Sequence, residues 1–214
     1  MRHNVFIPWD DDMDIALLKK DYKKLCKILL NLDSDKYVLQ CHKTDINYIS
    51  DISKLREKEG ILLGSNPQRA RLYKYKGVCI DIFCIERSSY ICCYLTHLLR
   101  RCLLNKQYLI KNKNIRRVSI SICYALYRFT KLILSFLNIF AKRDEIHYSP
   151  GQGAESHYMR LIDIYPVKYM EFENYYLPIP NNYDSFLRRI FGDYMKLPQD
   201  LHFHNKWLEN NFKK

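Results

Sequence analysis

The chain has 214 residues and a mass of 25.9 kDa, enough for one domain with a buried core. Its 48% apolar and 27% charged residues exclude a disordered chain and a polytopic membrane protein, and six glycines exclude a Gly-rich repeat. The formal charge of +12 is concentrated in one place: residues 87–143 hold twelve Lys or Arg and no Asp or Glu, while the remainder holds 23 of each sign. A uniformly basic nucleic-acid binder has a different profile, so no specific nucleic-acid partner is expected. A confined basic stripe points instead to anionic lipid, polyphosphate or non-specific RNA contact.

The opening Met1-Arg2-His3 has no signal-peptide pattern, and eight cysteines without a C-x-x-C pair read as reduced thiols, so a cytoplasmic protein is expected. Val5–Ile7 and Ile15–Leu18 read as one strand interrupted by acids. A helix is predicted over 20–32, where Tyr22, Leu25, Cys26 and Leu29 recur at helical spacing. Strands are predicted at 37–41 and 47–52, and a hairpin from 72–75 and 78–85 with Lys76-Gly77 at its turn.

Two helices, 88–105 and 118–141, follow with a basic connector at 106–117, so that 88–143 forms a basic helical insertion in a single domain. The longer helix is apolar over most of its circumference, with a polar stripe of Ser121, Arg128, Lys131, Ser135 and Asn138. Two readings stay open for it: a hairpin packed on the domain with its basic side in water, or a helix docked on an anionic membrane face. A loop at 148–154, extended pieces at 161–166 and 176–180, a helix at 183–191 and another from 198 complete the chain.

The chemistry-bearing stretch is Phe6-Ile7-Pro8-Trp9-Asp10-Asp11-Asp12-Met13-Asp14-Ile15. On an extended chain Asp10, Asp12 and Asp14 share one face. Like-charged carboxylates at such spacing repel unless a cation sits among them. At the rim of an apolar strand they suit Mg²⁺, whose remaining positions go to water and phosphate oxygens. Asp81 sits inside the apolar strand Val78-Cys79-Ile80-Asp81-Ile82-Phe83. A carboxylate there is costly unless compensated. It reads as a third ligand or a general base, or as a group satisfied by a nearby Lys, Arg or backbone donor.

The acidic stretch through Ala16 closely resembles the signature of the LicD family, to which fukutin-type proteins are related. Ile80-Asp81-Ile82-Phe83 is similar to that family's second acidic strand, and Phe191-Gly192-Asp193-Tyr194-Met195-Lys196-Leu197-Pro198 to its C-terminal signature. The resemblance implies an α+β, nucleotidyltransferase-like fold with a mixed sheet flanked by helices. It implies transfer of a phospho-substituent, phosphocholine-like or a polyol phosphate, from a CDP-activated donor. The acceptor would be a hydroxyl on a cell-surface glycan or its lipid-linked precursor.

By position, Asp12, Asp14 and Asp81 match the Mg²⁺ (or Mn²⁺) ligands and catalytic carboxylates, and Asp10 an adjacent acid. Arg2 and Lys19 match substrate-binding positions, although Lys19 reads more simply as part of a solvated helix start. His202 and His204 fall where relatives have histidine and read as surface residues. Relatives carry a Gly-rich strand-turn ahead of the acidic motif. This sequence opens as if inside that turn, and the resemblance implies a missing phosphate cradle. The alternative reading is therefore an inactive fragment, or a basic lipid- or RNA-binding module.

Overall fold

The computed structural model describes residues 12–60, 67–152 and 158–196. The described residues divide into two compact units, one of residues 13–158 and the other of Asp12 with 159–196.

The larger unit is built around β4 (Cys79–Arg87). On one edge β4 pairs in parallel with β1 (Asp14–Leu18). On its other edge it pairs antiparallel with β3 (Ser53–Glu57) along its first half and with β5 (Glu145–Tyr148) along its second. β2 (Tyr37–Gln40) adds to β3 in antiparallel fashion. The sheet is therefore mixed, and α+β is the observed class. A central strand covered on both faces should be almost continuously apolar, and Ile82, Cys84 and Ile85 are all buried.

Register decides which side chains share a face. Asp14 lies opposite Asp81, Ala16 opposite Phe83 and Leu18 opposite Ile85 on one face, with Ile15 opposite Ile82 and Leu17 opposite Cys84 on the other. Helix α1 (Lys19–Leu30) follows β1 directly and covers the Ile15–Ile82 face. Its Tyr22 hydroxyl lies 2.7 Å from Ser53 Oγ, and Ser53 is the register partner of Ile82. Asn31 ends α1, its side-chain amide donating to the Lys27 carbonyl.

Two strand expectations are corrected. Residues 47–52 form no strand. Asp45 organises them as a turn, accepting from the Asn47 amide; Ile49 is buried in a cluster with helical side chains, and Tyr48 is buried edge-on against Tyr73. Residues 72–75 form no hairpin arm either. They follow the short helix α2 (Pro67–Ala70), and side chains satisfy their backbone: Gln40 donates to the Tyr75 carbonyl, Asn47 to that of Leu72, and Asp45 accepts from the Lys74 amide. With those groups met, no ladder partner is needed. The antiparallel partner of β4 is β3, and Gly77 passes so close to β3 that a Cβ would lie 2.6 Å from the Glu57 carbonyl oxygen.

Helix α3 (Tyr90–Leu104) is capped by Ser89, which accepts from the Cys92 amide. Helix α4 (Lys113–Leu134) begins five residues earlier than the apolar periodicity predicts, because Asn112 caps it by accepting from Asn114 and Ile115. It continues as 3₁₀ turns through Phe140. The pair packs on the 46–49 segment through a cluster of Ile49, Leu104, Ile120 and Tyr127, each worth about 1.5–3 kcal/mol of burial. Tyr127 and Lys131 both donate to Asp51, the latter at 2.9 Å. Gly151, at φ +96°, fits against this network: a Cβ there would lie 2.1 Å from the Tyr127 hydroxyl. Lys131, placed by sequence on a water-facing stripe, is thus turned inward.

In the smaller unit a two-residue strand, β6 (Met159–Arg160), leads into a short helix, α5 (Leu161–Ile164), where an extended piece is expected from sequence. The hairpin of β7 (Lys168–Phe172) and β8 (Tyr175–Ile179) follows. Helix α6 (Tyr183–Phe191) is capped by Asn182 and stops at Gly192, whose φ of +67° lets the chain turn away. Tyr194 then folds back to donate to Asp184, which also pairs with Arg188 at 2.9 Å. The C-terminal motif thus has a visible structural job as a helix stop.

Candidate active site

The sheet places three charged side chains in one transverse row. Asp81 is the register partner of Asp14 on β1 and of Lys54 on β3. Directly opposite residues on neighbouring strands share a face, so the row reads Lys54, Asp81, Asp14 across adjacent strands. Asp14 is exposed, and the Asp81 side chain is 23% exposed. Lys54 Nζ forms an ion pair with Asp81 Oδ1, and the Cys79 thiol approaches the same oxygen at 3.8 Å. The Asp81 amide donates to the Met13 carbonyl at 3.1 Å, which extends the strand pairing to the residue before β1.

The row is bordered by aromatic surface. Phe83, two residues beyond Asp81 on the same face, packs against Tyr148 of β5 with ring centroids 4.9 Å apart. Burial, then the negative charge of Asp14, raises the Tyr148 phenol above its ordinary range. Tyr148 therefore stays a protonated phenol, with an O–H available to donate. Below the row, Arg56 is buried and committed to structure, donating to Gln40 Oε1 at 2.6 Å and to the Gly77 carbonyl.

The residues singled out by sequence are distributed unevenly. Asp14 and Asp81 are brought side by side. Asp12 is exposed and precedes Asp14 by two residues. Asp10 and Arg2 lie outside the described residues, as do His202 and His204. Lys19 is at the far end of β1, roughly 16 Å of extended chain from Asp14. Its ammonium pairs with Glu86, which also accepts from Ser149. Lys54 and Tyr148 were not singled out by sequence. The signal for Lys54 is the alternation Ser53-Lys54-Leu55-Arg56, legible only once β3 is known to be a strand.

Among the described residues, no group of three or more His, Cys, Asp or Glu side chains is placed to hold a metal ion. The Asp14–Asp81 pair nevertheless has the donor chemistry that Mg²⁺ uses: one or two carboxylates, with water and phosphate oxygens completing the shell. The Lys54 ammonium now occupies one flank of that pair, as a cation would.

Residues 1–89 match the family model described as LicD/FKTN/FKRP, nucleotidyltransferase domain. The Lipopolysaccharide cholinephosphotransferase LicD of Haemophilus influenzae (strain ATCC 51907 / DSM 11121 / KW20 / Rd) is 23% identical over 216 residues, covering 94% of this chain and 79% of that protein. No solved structure matches the chain. The acidic motif, Asp14 and Asp81 all fall inside the matched segment, so the resemblance to the LicD family read from the motifs is borne out.

Proposed function

We propose that the chain is a Mg²⁺- or Mn²⁺-dependent phosphotransferase. It moves a phosphocholine-like or polyol-phosphate group from a CDP-activated donor to a hydroxyl of a cell-surface glycan or its lipid-linked precursor. The observation that carries this reading is the Asp14–Asp81 pair in register on parallel strands. A family match over residues 1–89 and a cholinephosphotransferase relative support it at the level of reaction class.

In this reading Asp14 and Asp81 would hold the cation, with Asp12 and Asp10 as adjacent acids of the same motif. The bound cation would neutralise charge on the donor's two phosphates. The acceptor oxygen forms a bond to the phosphorus bearing the transferred group, the bridging P–O bond breaks, and CMP departs. The acceptor proton passes to a carboxylate of the pair. Lys54, next in the row, is the side chain placed to release Asp81 and meet phosphate oxygen. It is better positioned for that role than Lys19, which Glu86 holds at the other end of β1. Tyr148 is a hydrogen-bond donor at the edge of the same face.

One observation favours a second reading, a chain without activity: Lys54 already neutralises Asp81. CMP release from CDP-choline with Mg²⁺ and a glycan acceptor separates the two. Wild type should turn over, and Asp12→Ala and Asp14→Ala should both be folded and silent. Turnover retained in folded Asp14→Ala removes the metal assignment, and a silent wild type with either divalent cation favours the inactive reading.

A further inference from the structure

Helix α4 carries apolar side chains on its exposed side as well as its buried one. The side chains it buries are Arg116, Ile120 and Tyr127. Those it exposes include Val118, Ile122, Leu126, Phe129, Ile133 and, in the 3₁₀ extension, Phe136, all 50–78% exposed. They recur at three- and four-residue spacing and so form one continuous stripe. Residues 113–140 are about 40 Å long at helical rise. A stripe of that length exceeds the apolar patches that monomers ordinarily leave in water. An open recess of about 510 Å³ lies along its first half, bordered by Ile115, Val118, Ile122 and Cys123.

By length and composition this helix could cross a bilayer. Its inner side, however, is fastened to the domain at several points. Tyr127 and Lys131 both donate to Asp51, and Tyr124 stacks on His42 with ring centroids 3.7 Å apart. A helix held along one side by a polar domain cannot stand across a membrane with that domain attached. It can lie in the interface plane with its free side down.

The charge around the stripe selects the lipid. Arg117 and Arg128, eleven residues apart, fall on one flank of α4 and are exposed. Arg101, Lys106, Lys111 and Lys113 are exposed on α3 and the connector, and no acid occurs anywhere in residues 87–143. We propose that the α3–α4 hairpin docks the protein on an anionic bilayer, with the α4 stripe entering the headgroup–acyl boundary and the flanking arginines meeting lipid phosphates. This does not depend on the transferase reading.

The test is co-sedimentation of the full chain with phosphatidylcholine vesicles, with and without phosphatidylglycerol, at low and high salt. Binding should require phosphatidylglycerol and weaken with salt. Arg117→Ala/Arg128→Ala should weaken it on the order of tenfold, and Phe129→Asp/Phe136→Asp should abolish it while the far-ultraviolet dichroism is unchanged. No binding to phosphatidylglycerol vesicles overturns the proposal. So does a dimer that Phe129→Asp dissociates in a protein indifferent to lipid, because a second copy then covers the stripe. Should Phe129→Asp/Phe136→Asp not fold, the arginine variant and the lipid and salt dependence decide alone.

Discussion

The sheet rim and the helical hairpin solve opposite problems. On the rim, charge is exposed at an apolar scaffold: Asp14, Asp81 and Lys54 line up on one face while Ile15 and Ile82 turn to the other. In the hairpin, apolar side chains lie on both sides: Ile120 and Tyr127 make the inner contact beside the Asp51–Lys131 pair, and Phe129 and Phe136 face outward. An apolar side chain marks the core only when the surrounding medium is water. The same composition reads as core in β4 and as docking surface in α4.

The largest effect that could break this contrast is catalytic. Asp14→Ala should lower CMP release at least about a thousandfold, the loss of roughly 4 kcal/mol of transition-state stabilisation. Phe129→Asp should leave the rate on a soluble acceptor within about twofold. Equal losses in the two variants would mean that rim and hairpin are not separate in function.

Next in size is the fastening of the hairpin. Asp51→Asn removes the charge that holds Lys131 and Tyr127, and breaking a buried pair in this way costs about 3 kcal/mol. Urea denaturation should show that loss, and a change below about 0.5 kcal/mol would class the pair with surface ion pairs.

The smallest effect concerns His42, stacked on Tyr124 of α4 with ring centroids 3.7 Å apart. Burial lowers its imidazole below the ordinary value. The unfolded chain therefore takes up the proton first as pH falls. Stability contributed by neutral His42 is full above about pH 6.5 and is lost as pH drops through the lower folded value. Thermal midpoints at pH 7.5 and 5 should fall less in His42→Phe than in wild type. An equal fall would remove His42 from the hairpin's pH response.

Legibility in the sequence follows how local each signal is. Helix α6 spans the predicted residues 183–191, because its cap, periodicity and Gly192 stop all lie within its own segment. Strand β1 and helix α1 were legible for the same reason. Strands β3 and β5 were not. Ser53-Lys54-Leu55-Arg56-Glu57 is polar, and its strand character comes from β2 and β4 on either side. Ile49 carries part of the apolar signal that suggests a strand at 47–52, yet helices α3 and α4 bury it. The site divides likewise. Asp14 and Asp81 announce themselves as acids in apolar strands, whereas Lys54 and Tyr148 belong to the two strands that only tertiary pairing defines.

The proposed chemistry requires Asp14 and Asp81 to form one cation centre. The most direct measurement is Mn²⁺ titration of the full chain followed by electron paramagnetic resonance, with wild type, Asp14→Asn and Asp81→Asn in the presence of CDP. One bound Mn²⁺ is expected in wild type, with at least a tenfold weaker site in each folded variant. Equal Mn²⁺ binding in all three proteins would contradict the shared centre.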